Sequence, residues 1–519
     1  MLSLSSFCSI NRRVSTPRRT DHIIRSKAGL NWLMVVLCLL SATTDCFADE
    51  GMFPVSELGA LDLQSKGLKV SSGEVFNTDA NRTCLVDGIC KVNGCTGAFV
   101  SNKALIITNH HCAYRAIQAA STTENDYLKN GFIPSKPGEE IPAPGYTVRV
   151  TESFKDVSEQ VLTAVTAEMN FTERSKAIQR RIKELETQAE TDNAGKRAEV
   201  AEMFAGKTYV LFIYTYLKDV RLVFAPPSSV GKFGGDVDNW EWPRHTGDFS
   251  FMRAYVAPDG SSANYSPDNV PYQPKKFLQV AAGGANEGDF VMLLGYPGRT
   301  ARHKTASFLE FEQNVRLPFV VDYYGQQIET MQTAGANDRA VALKLLSRIS
   351  GLANVEKRSR GQLKGLVGAD IAAKRRAKEK ELQDFIDADP ELKARYGQTL
   401  AKIDSAYAES AKTALAEANV RNLTLASQLM SFAFTVYDGA VERQKPELER
   451  EAPYMSRNYD QTVARLKASH RDLELTTDKQ LLRQLLERMD ASQRTDLGLP
   501  EPDQLEPSTR LVRFRRRRL

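Results

Sequence analysis

The chain reads as an α+β protein, and three observations predict that class. Residues from about 54 to 150 carry short alternating apolar runs set between Gly, Thr, Val and Pro, the pattern of strands and tight turns. Strand-like runs return at Tyr209-Val210-Leu211-Phe212-Ile213-Tyr214 and continue through Val291-Met292-Leu293-Leu294-Gly295-Tyr296-Pro297-Gly298. From about 303 to 495 nearly every window is rich in Lys, Arg, Glu and Ala, with apolar residues at helical spacing. At ~100–200 residues per domain the length implies about three units. No internal repeat at a fixed period is visible.

The first 48 residues have the order of a secretory signal peptide. Arg12, Arg13, Arg18, Arg19, Arg25 and Lys27 precede an apolar run from Leu30 to Leu40, and a small-residue site ends at Ala48. That run is shorter than the ~20 residues a membrane-spanning helix needs. Thr43-Thr44-Asp45 is a poor context for lipid attachment at Cys46. The protein is therefore expected to be exported, periplasmic or secreted, with no membrane anchor after cleavage. Cys8, Cys38 and Cys46 would leave with the signal, and the remaining Cys84, Cys90, Cys95 and Cys112 allow three pairings. Charge has to be divided along the chain. The total is +5, of which residues 1–48 supply +4 and residues 510–519 supply +6, so the body carries −5. A mildly acidic body gives no electrostatic case for nucleic acid.

The elements follow in order. Gly97-Ala98-Phe99-Val100-Ser101 and Ala104-Leu105-Ile106-Ile107-Thr108 flank Asn102-Lys103 as a hairpin. Residues of about 155–205 read as a helical insertion, with Ile178, Ile182 and Leu185 on one stripe and Thr172 as N-cap before Glu173. The division expected is a signal over 1–48, a β-rich unit over 49–302, a helical unit over 303–496 and a tail over 497–519. Periodicity stops at Leu497, and the chain closes on Arg513-Phe514-Arg515-Arg516-Arg517-Arg518-Leu519. In an exported protein we read this tail as an aberrant, disordered product of frame disruption rather than a nucleic-acid-binding arm.

Chemistry concentrates at Thr108-Asn109-His110-His111-Cys112, just after the hairpin. This resembles the way trypsin-like serine proteases present a catalytic histidine. That resemblance implies a Cys95–Cys112 disulfide pinning the histidine loop and leaves Cys84 to pair locally with Cys90. His111 is preferred over His110 because it adjoins the cysteine. A zinc site on the two histidines is disfavoured, since neighbours on a strand face opposite ways and no further ligand pair is evident. We expect no metal and no cofactor. For the carboxylate that would orient the imidazole, Asp248 stands at the start of an apolar strand, where a turn aspartate is the ordinary alternative. Just before it, Asp236, Asp238, Trp240 and Trp242 crowd into one short segment, more than packing alone requires.

The stretch Ser229-Val230-Gly231-Lys232-Phe233-Gly234-Gly235-Asp236-Val237-Asp238-Asn239-Trp240-Glu241-Trp242-Pro243-Arg244-His245-Thr246-Gly247-Asp248-Phe249 resembles the signature of the S46 family of bacterial dipeptidyl-peptidases. Gly94-Cys95-Thr96-Gly97, Gly295-Tyr296-Pro297-Gly298-Arg299-Thr300 and Asp49-Glu50-Gly51-Met52 join the match, which runs from about 49 to 495. The resemblance implies a trypsin-like double β-barrel, incomplete here, with a large inserted α-helical domain capping its cleft. It implies His111 as general base, Asp248 as its partner, and Asn239 with Trp240 holding the free α-amino group of an oligopeptide. It also implies a homodimer.

Two Ser-Gly pairs occur, Ser72-Gly73 and Ser350-Gly351, and neither stands in a Gly-x-Ser-Gly turn. The expectation is accordingly a C-terminally truncated dipeptidyl-peptidase without its nucleophilic serine, inactive as written. A non-catalytic paralogue that binds peptide amino termini is the alternative. An endopeptidase is disfavoured by the capping helices and by the Asn239-Trp240 segment.

Overall fold

The computed structural model describes residues 52–505 apart from Ala80, Ala205 and 299–302. The expected signal over 1–48, the Arg299-Thr300 end of one motif and the basic end of the tail over 506–519 lie outside the described residues. From Val55 onward the described residues form one unit.

Among the described residues ten strands make one antiparallel sheet: β1 Ile89–Val92, β2 Cys95–Phe99, β3 Leu105–Thr108, β4 Ile141–Pro142, β5 Val148–Asp156, β6 Lys196–Phe204, β7 Thr208–Leu217, β8 Asp219–Phe224, β9 Ser250–Val256 and β10 Val270–Pro271. Their order is β4-β8-β9-β3-β2-β1-β5-β7-β6, with β10 on β9. The hairpin forms with Gly97 opposite Thr108 and Phe99 opposite Ile106. Alternation drives Phe99, Ile106, Leu222, Met252 and Ala254 into one core beneath the sheet. Gly97 is required at the crossing, because a Cβ there would lie 2.7 Å from Ile106 Cγ2 and 2.8 Å from Val92 Cγ2.

Among the described residues nine helices have eight or more residues: α1 His110–Ala120, α2 Phe171–Asp192, α3 Leu317–Gly335, α4 Arg339–Gly368, α5 Ile371–Ala388, α6 Thr399–Arg421, α7 Gln428–Glu442, α8 Ser456–Arg471 and α9 Leu475–Arg488. After residue 303, α3, α6, α7 and α9 contribute to a core around Tyr323, Met430, Leu482, Leu485, Leu486 and Met489, and α3, α4 and α9 share a second cluster at Met331, Leu345, Leu352 and Leu481. No helix among the described residues is long and apolar enough to cross a membrane. The helical half touches the sheet half at several places. Gln118 of α1 donates to Leu343 O at 2.7 Å and Arg339 to Asp126 at 2.8 Å. Farther out, Lys183 of α2 donates to Arg450 O at 2.8 Å and Arg457 to Glu186 at 3.0 Å.

Four local expectations are corrected. Residues 196–204 are strand β6 rather than helix, because Ala198 and Val200 alternate inward against β7 after the turn at Gly195. Helix α2 is capped by Asn170, not Thr172; Asn170 Oδ1 accepts from Glu173 N at 3.0 Å and Glu173 returns the bond. Residues 291–298 keep strand-like alternation without pairing: Met292 and Leu294 pack on Leu63, Leu68 and Val75, while Val291 and Leu293 point to solvent. Regular packing also continues past 496. Gly498 turns the chain with φ 65°, Leu499 is buried, and Leu497 and Leu505 lie on the helical core.

Candidate active site

Strand β3 ends opposite the start of β9, with Thr108 facing Ser250. An antiparallel register of this kind brings whatever follows β3 beside whatever precedes β9. After Thr108 comes Asn109 and then α1; before Ser250 stands Asp248. The result is a contact across 137 residues: His111 Nδ1 lies 2.7 Å from Asp248 Oδ2, and His111 N donates to Asp248 Oδ1 at 3.0 Å. Asn109 is the N-cap of α1, yet its side chain caps nothing. It turns to Asp248 instead, with Nδ2 at 3.2 Å from Oδ2 and 3.3 Å from the carbonyl oxygen. Burial opposes ionisation of Asp248, but the bonds from the His111 ring and backbone and from Asn109 outweigh it and hold the carboxyl below its ordinary range.

The two histidines occupy the first turn of a helix, not a strand end. Successive helical residues diverge by about 100°, so the neighbours meet different surroundings. The His111 side chain is 66% exposed, whereas His110 is 1% exposed. His110 Nδ1 lies 3.3 Å from Ser250 Oγ, its ring meets Tyr114 edge-on at 5.8 Å, and Nε2 has no hydrogen-bond partner. Burial lowers the His110 pKa; Asp248 opposes the shift, and the charges of His111 and Lys232 add to it. His110 is thus a neutral packing group beneath the exposed imidazole.

Cys95 in β2 and Cys112 in α1 are bridged, with Cα atoms 6.3 Å apart. Tyr146 Oη donates to Cys112 O at 2.9 Å and accepts from Ala116 N at 3.3 Å, fixing α1 from its other side. The expected Cys84–Cys90 bridge is absent, and both thiols are free and buried. Cys84 heads the turn Leu85–Gly88, whereas Cys90 faces the sheet core beneath Gly97.

The loop between β8 and β9 folds onto this site. Gly247 N donates to Val230 O at 2.9 Å, and Gly231 lies flat against the His110 ring. At its far end Asn239 Nδ2 donates to Asn354 Oδ1 at 3.1 Å, and Trp240 Nε1 donates to the same oxygen at 3.0 Å and to Asn354 O at 3.1 Å. Trp240 adopts φ 61°, a left-handed conformation costly for a side chain of its size. Lys357, one turn along α4 from Asn354, bonds Val237 O and lies 3.4 Å from Glu241. Arg244 Nη1 donates to Asn239 Oδ1 at 2.9 Å.

Four of the residues picked out by sequence thus fall into two groups, His111 with Asp248 and Asn239 with Trp240, joined by one loop. Asn109, Ser250, Asn354 and Lys357 were not singled out. Asn109 at least stands inside the histidine motif, but no sequence signal ties Asn354 or Lys357 to a loop more than a hundred residues away.

A sequence model of the family Peptidase S46 matches residues 48–503. Dipeptidyl-peptidase 7 of Capnocytophaga gingivalis is 39% identical over 361 residues, covering 69% of this chain and 50% of the relative. The Asp/Glu-specific dipeptidyl-peptidase of Shewanella putrefaciens is 33% identical over 455 residues, covering 87% of this chain and 60% of that one. A crystal structure of Porphyromonas endodontalis DPP11 in complex with the dipeptide Arg-Glu superposes with TM-score 0.70 at 28% identity, over 86% of this chain and 64% of that chain. The chain therefore spans about half to two thirds of the length of the relatives it matches. With that match over most of its residues, the chain belongs to the Peptidase S46 family.

Proposed function

We propose that these residues provide the base and the amino-terminus site of a serine-type dipeptidyl-peptidase acting on oligopeptides with free N-termini. The observation that carries the reading is the 2.7 Å contact between His111 Nδ1 and Asp248. A carboxylate there holds one imidazole tautomer and stabilises its protonated form, leaving the other ring nitrogen to take a proton from a serine hydroxyl. His111 is exposed enough to meet substrate, and Asp248 is ionised over the whole neutral range.

Asn239, Trp240 and Asn354 are the second half of the reading. Removal of two residues needs an ammonium anchor about 7 Å from the scissile carbonyl, at ~3.3–3.6 Å per residue. Amide oxygens accept ammonium protons well. Here Asn239 Oδ1 already accepts from Arg244, so an incoming amine competes with that guanidinium. The helices after residue 303 would cap the cleft, and the sheet would be part of a double β-barrel. Export to an oxidising compartment is consistent with the Cys95–Cys112 bridge, and we infer a homodimer by likeness to the family.

No serine of the 519 residues stands in a Gly-x-Ser-Gly turn. These residues by themselves are therefore proposed to bind peptide amino termini without hydrolysing them, as the non-catalytic alternative also requires. Two of the three tryptophans, Trp240 and Trp242, lie in the candidate amine-binding loop, so intrinsic fluorescence reports on it. A tetrapeptide with a free amine should change the emission saturably without release of a dipeptide, and its N-acetylated form should not. Equal binding of both forms would sink the reading.

A further inference from the structure

One ring nitrogen of His111 and the sulfurs of Cys95 and Cys112 all lie within 4.8 Å of one another. While the two sulfurs are joined they have no charge to offer a cation. We propose that reduction of this disulfide converts the site into a Cys2His centre for a thiophilic divalent cation such as Zn²⁺, and that the bound metal takes the imidazole lone pair a base would need. The metal site stands whether or not His111 is a base; only its inhibitory consequence rests on the function proposed above.

The chemistry balances with a dithiol as reductant. One thiolate of the dithiol attacks a sulfur of the Cys95–Cys112 bond, and its second thiol closes a new disulfide on the reductant. Two electrons and two protons have then passed to the protein, leaving thiols at Cys95 and Cys112. Zn²⁺ displaces one proton from each, forming two metal–sulfur bonds and one metal–nitrogen bond to His111. Water fills the fourth position, the open arrangement common where three protein ligands hold zinc.

Geometry supports each step. Both cysteines are half-buried and His111 is exposed, so reductant and metal have access. With Zn–S at ~2.3 Å and Zn–N at ~2.0–2.1 Å, tetrahedral ligands sit roughly 3.5–3.8 Å apart. Reduction frees the sulfurs to part to that spacing, while the ring nitrogen needs to close by no more than about 1.3 Å. The backbone is held meanwhile by elements other than the bridge: β2 pairs with β1 and β3, and Tyr146 ties Cys112 O and Ala116 N. With Nε2 as the ligand, Asp248 on Nδ1 is the carboxylate partner that metal-bound histidines commonly have.

The test uses the full chain, reduced with a phosphine that is then removed, and Co²⁺ as the probe. Reduced wild type should take up one Co²⁺ with a thiolate-to-cobalt charge-transfer band that Zn²⁺ abolishes, and unreduced protein should show no such band. Reduced His111→Ala, which keeps its disulfide during folding, should bind at least tenfold more weakly. Cys95→Ser/Cys112→Ser should lose the band while Cys84→Ser/Cys90→Ala retains it, with circular dichroism checking that each variant is folded. A missing band in reduced wild type, or an undiminished one in His111→Ala or Cys95→Ser/Cys112→Ser, would overturn the proposal.

Discussion

Replacing Gly231 by alanine tests whether the packing beneath His111 sets the site. A Cβ at this position would lie 2.8 Å from His110 Cγ and Nδ1 and 2.9 Å from Cδ2. These are atoms of a rigid ring, not the tip of a flexible chain. The ring has little freedom to retreat, since it is 1% exposed and held between Ser250 Oγ and Tyr114. Overpacking of this kind costs ~1–3 kcal/mol. Over about 450 residues the unfolding entropy, at ~2 cal/mol/K per residue, spreads that loss into only roughly 1–3 °C of melting temperature. A local assay reads it better. If the loss falls on opening of the β3–α1 segment, amide exchange there should speed up roughly 5- to 150-fold, tenfold for each ~1.4 kcal/mol. Exchange mass spectrometry on peptides covering 105–120 measures this. Gly94→Ala serves as control because its Cβ would meet nothing within 4 Å. Adding His110→Ala removes the ring and should recover much of the protection. If Gly231→Ala exchanges within twofold of wild type, or His110→Ala fails to rescue it, the packing argument is wrong.

Two further outcomes can be checked on stability alone. Glu140, with its side chain 2% exposed, accepts from Arg253 Nε at 3.0 Å and Tyr255 Oη at 2.7 Å, so Glu140→Ala leaves a guanidinium largely uncompensated. It should cost ~3–5 kcal/mol, seen as a lower urea midpoint at unchanged slope, and Arg253→Met in the same chain should restore part of it. Glu152 concerns pH. Burial would raise its pKa, but bonds from Thr215, Lys275 and Lys196 prevail and hold it below 4.5. A depressed carboxylate adds stability that is fully present above its unfolded pKa and is lost as pH falls through the folded value. Melting temperature should therefore decline below about pH 4.5, and Glu152→Gln should flatten that decline while lowering stability at pH 7; an unchanged acid limb would contradict the assignment.

What the sequence by itself determined was local. The β2–β3 hairpin, the helical character after residue 303 and the concentration of chemistry at His110-His111-Cys112 follow from short-range patterns, because period, turn residues and adjacency act within a few positions. Where a short-range signal was ambiguous it misled. Asn170 rather than Thr172 caps α2, since either suits an N-cap and only the reciprocal bond with Glu173 selects one. Residues 196–204 follow an amphipathic helix yet fold as β6, because β7 offers a ladder. Residues 291–298 have a strand's alternation and no ladder among the described residues.

What only the tertiary structure decided were contacts between distant residues. Asp248 could be any turn aspartate until the pairing of Thr108 with Ser250 carries it to 2.7 Å from His111. Asn354 and Lys357 are ordinary polar residues of α4 until that helix docks against the loop holding Asn239 and Trp240. His110 and His111 are neighbours in sequence, but the helix turns one into the core and leaves the other in solvent. The resemblance leaves Cys84 and Cys90 to pair, but one heads a turn, the other lies in the sheet core, and both thiols stay free. Register and burial are properties of whole packed surfaces, and a sequence read window by window does not contain them.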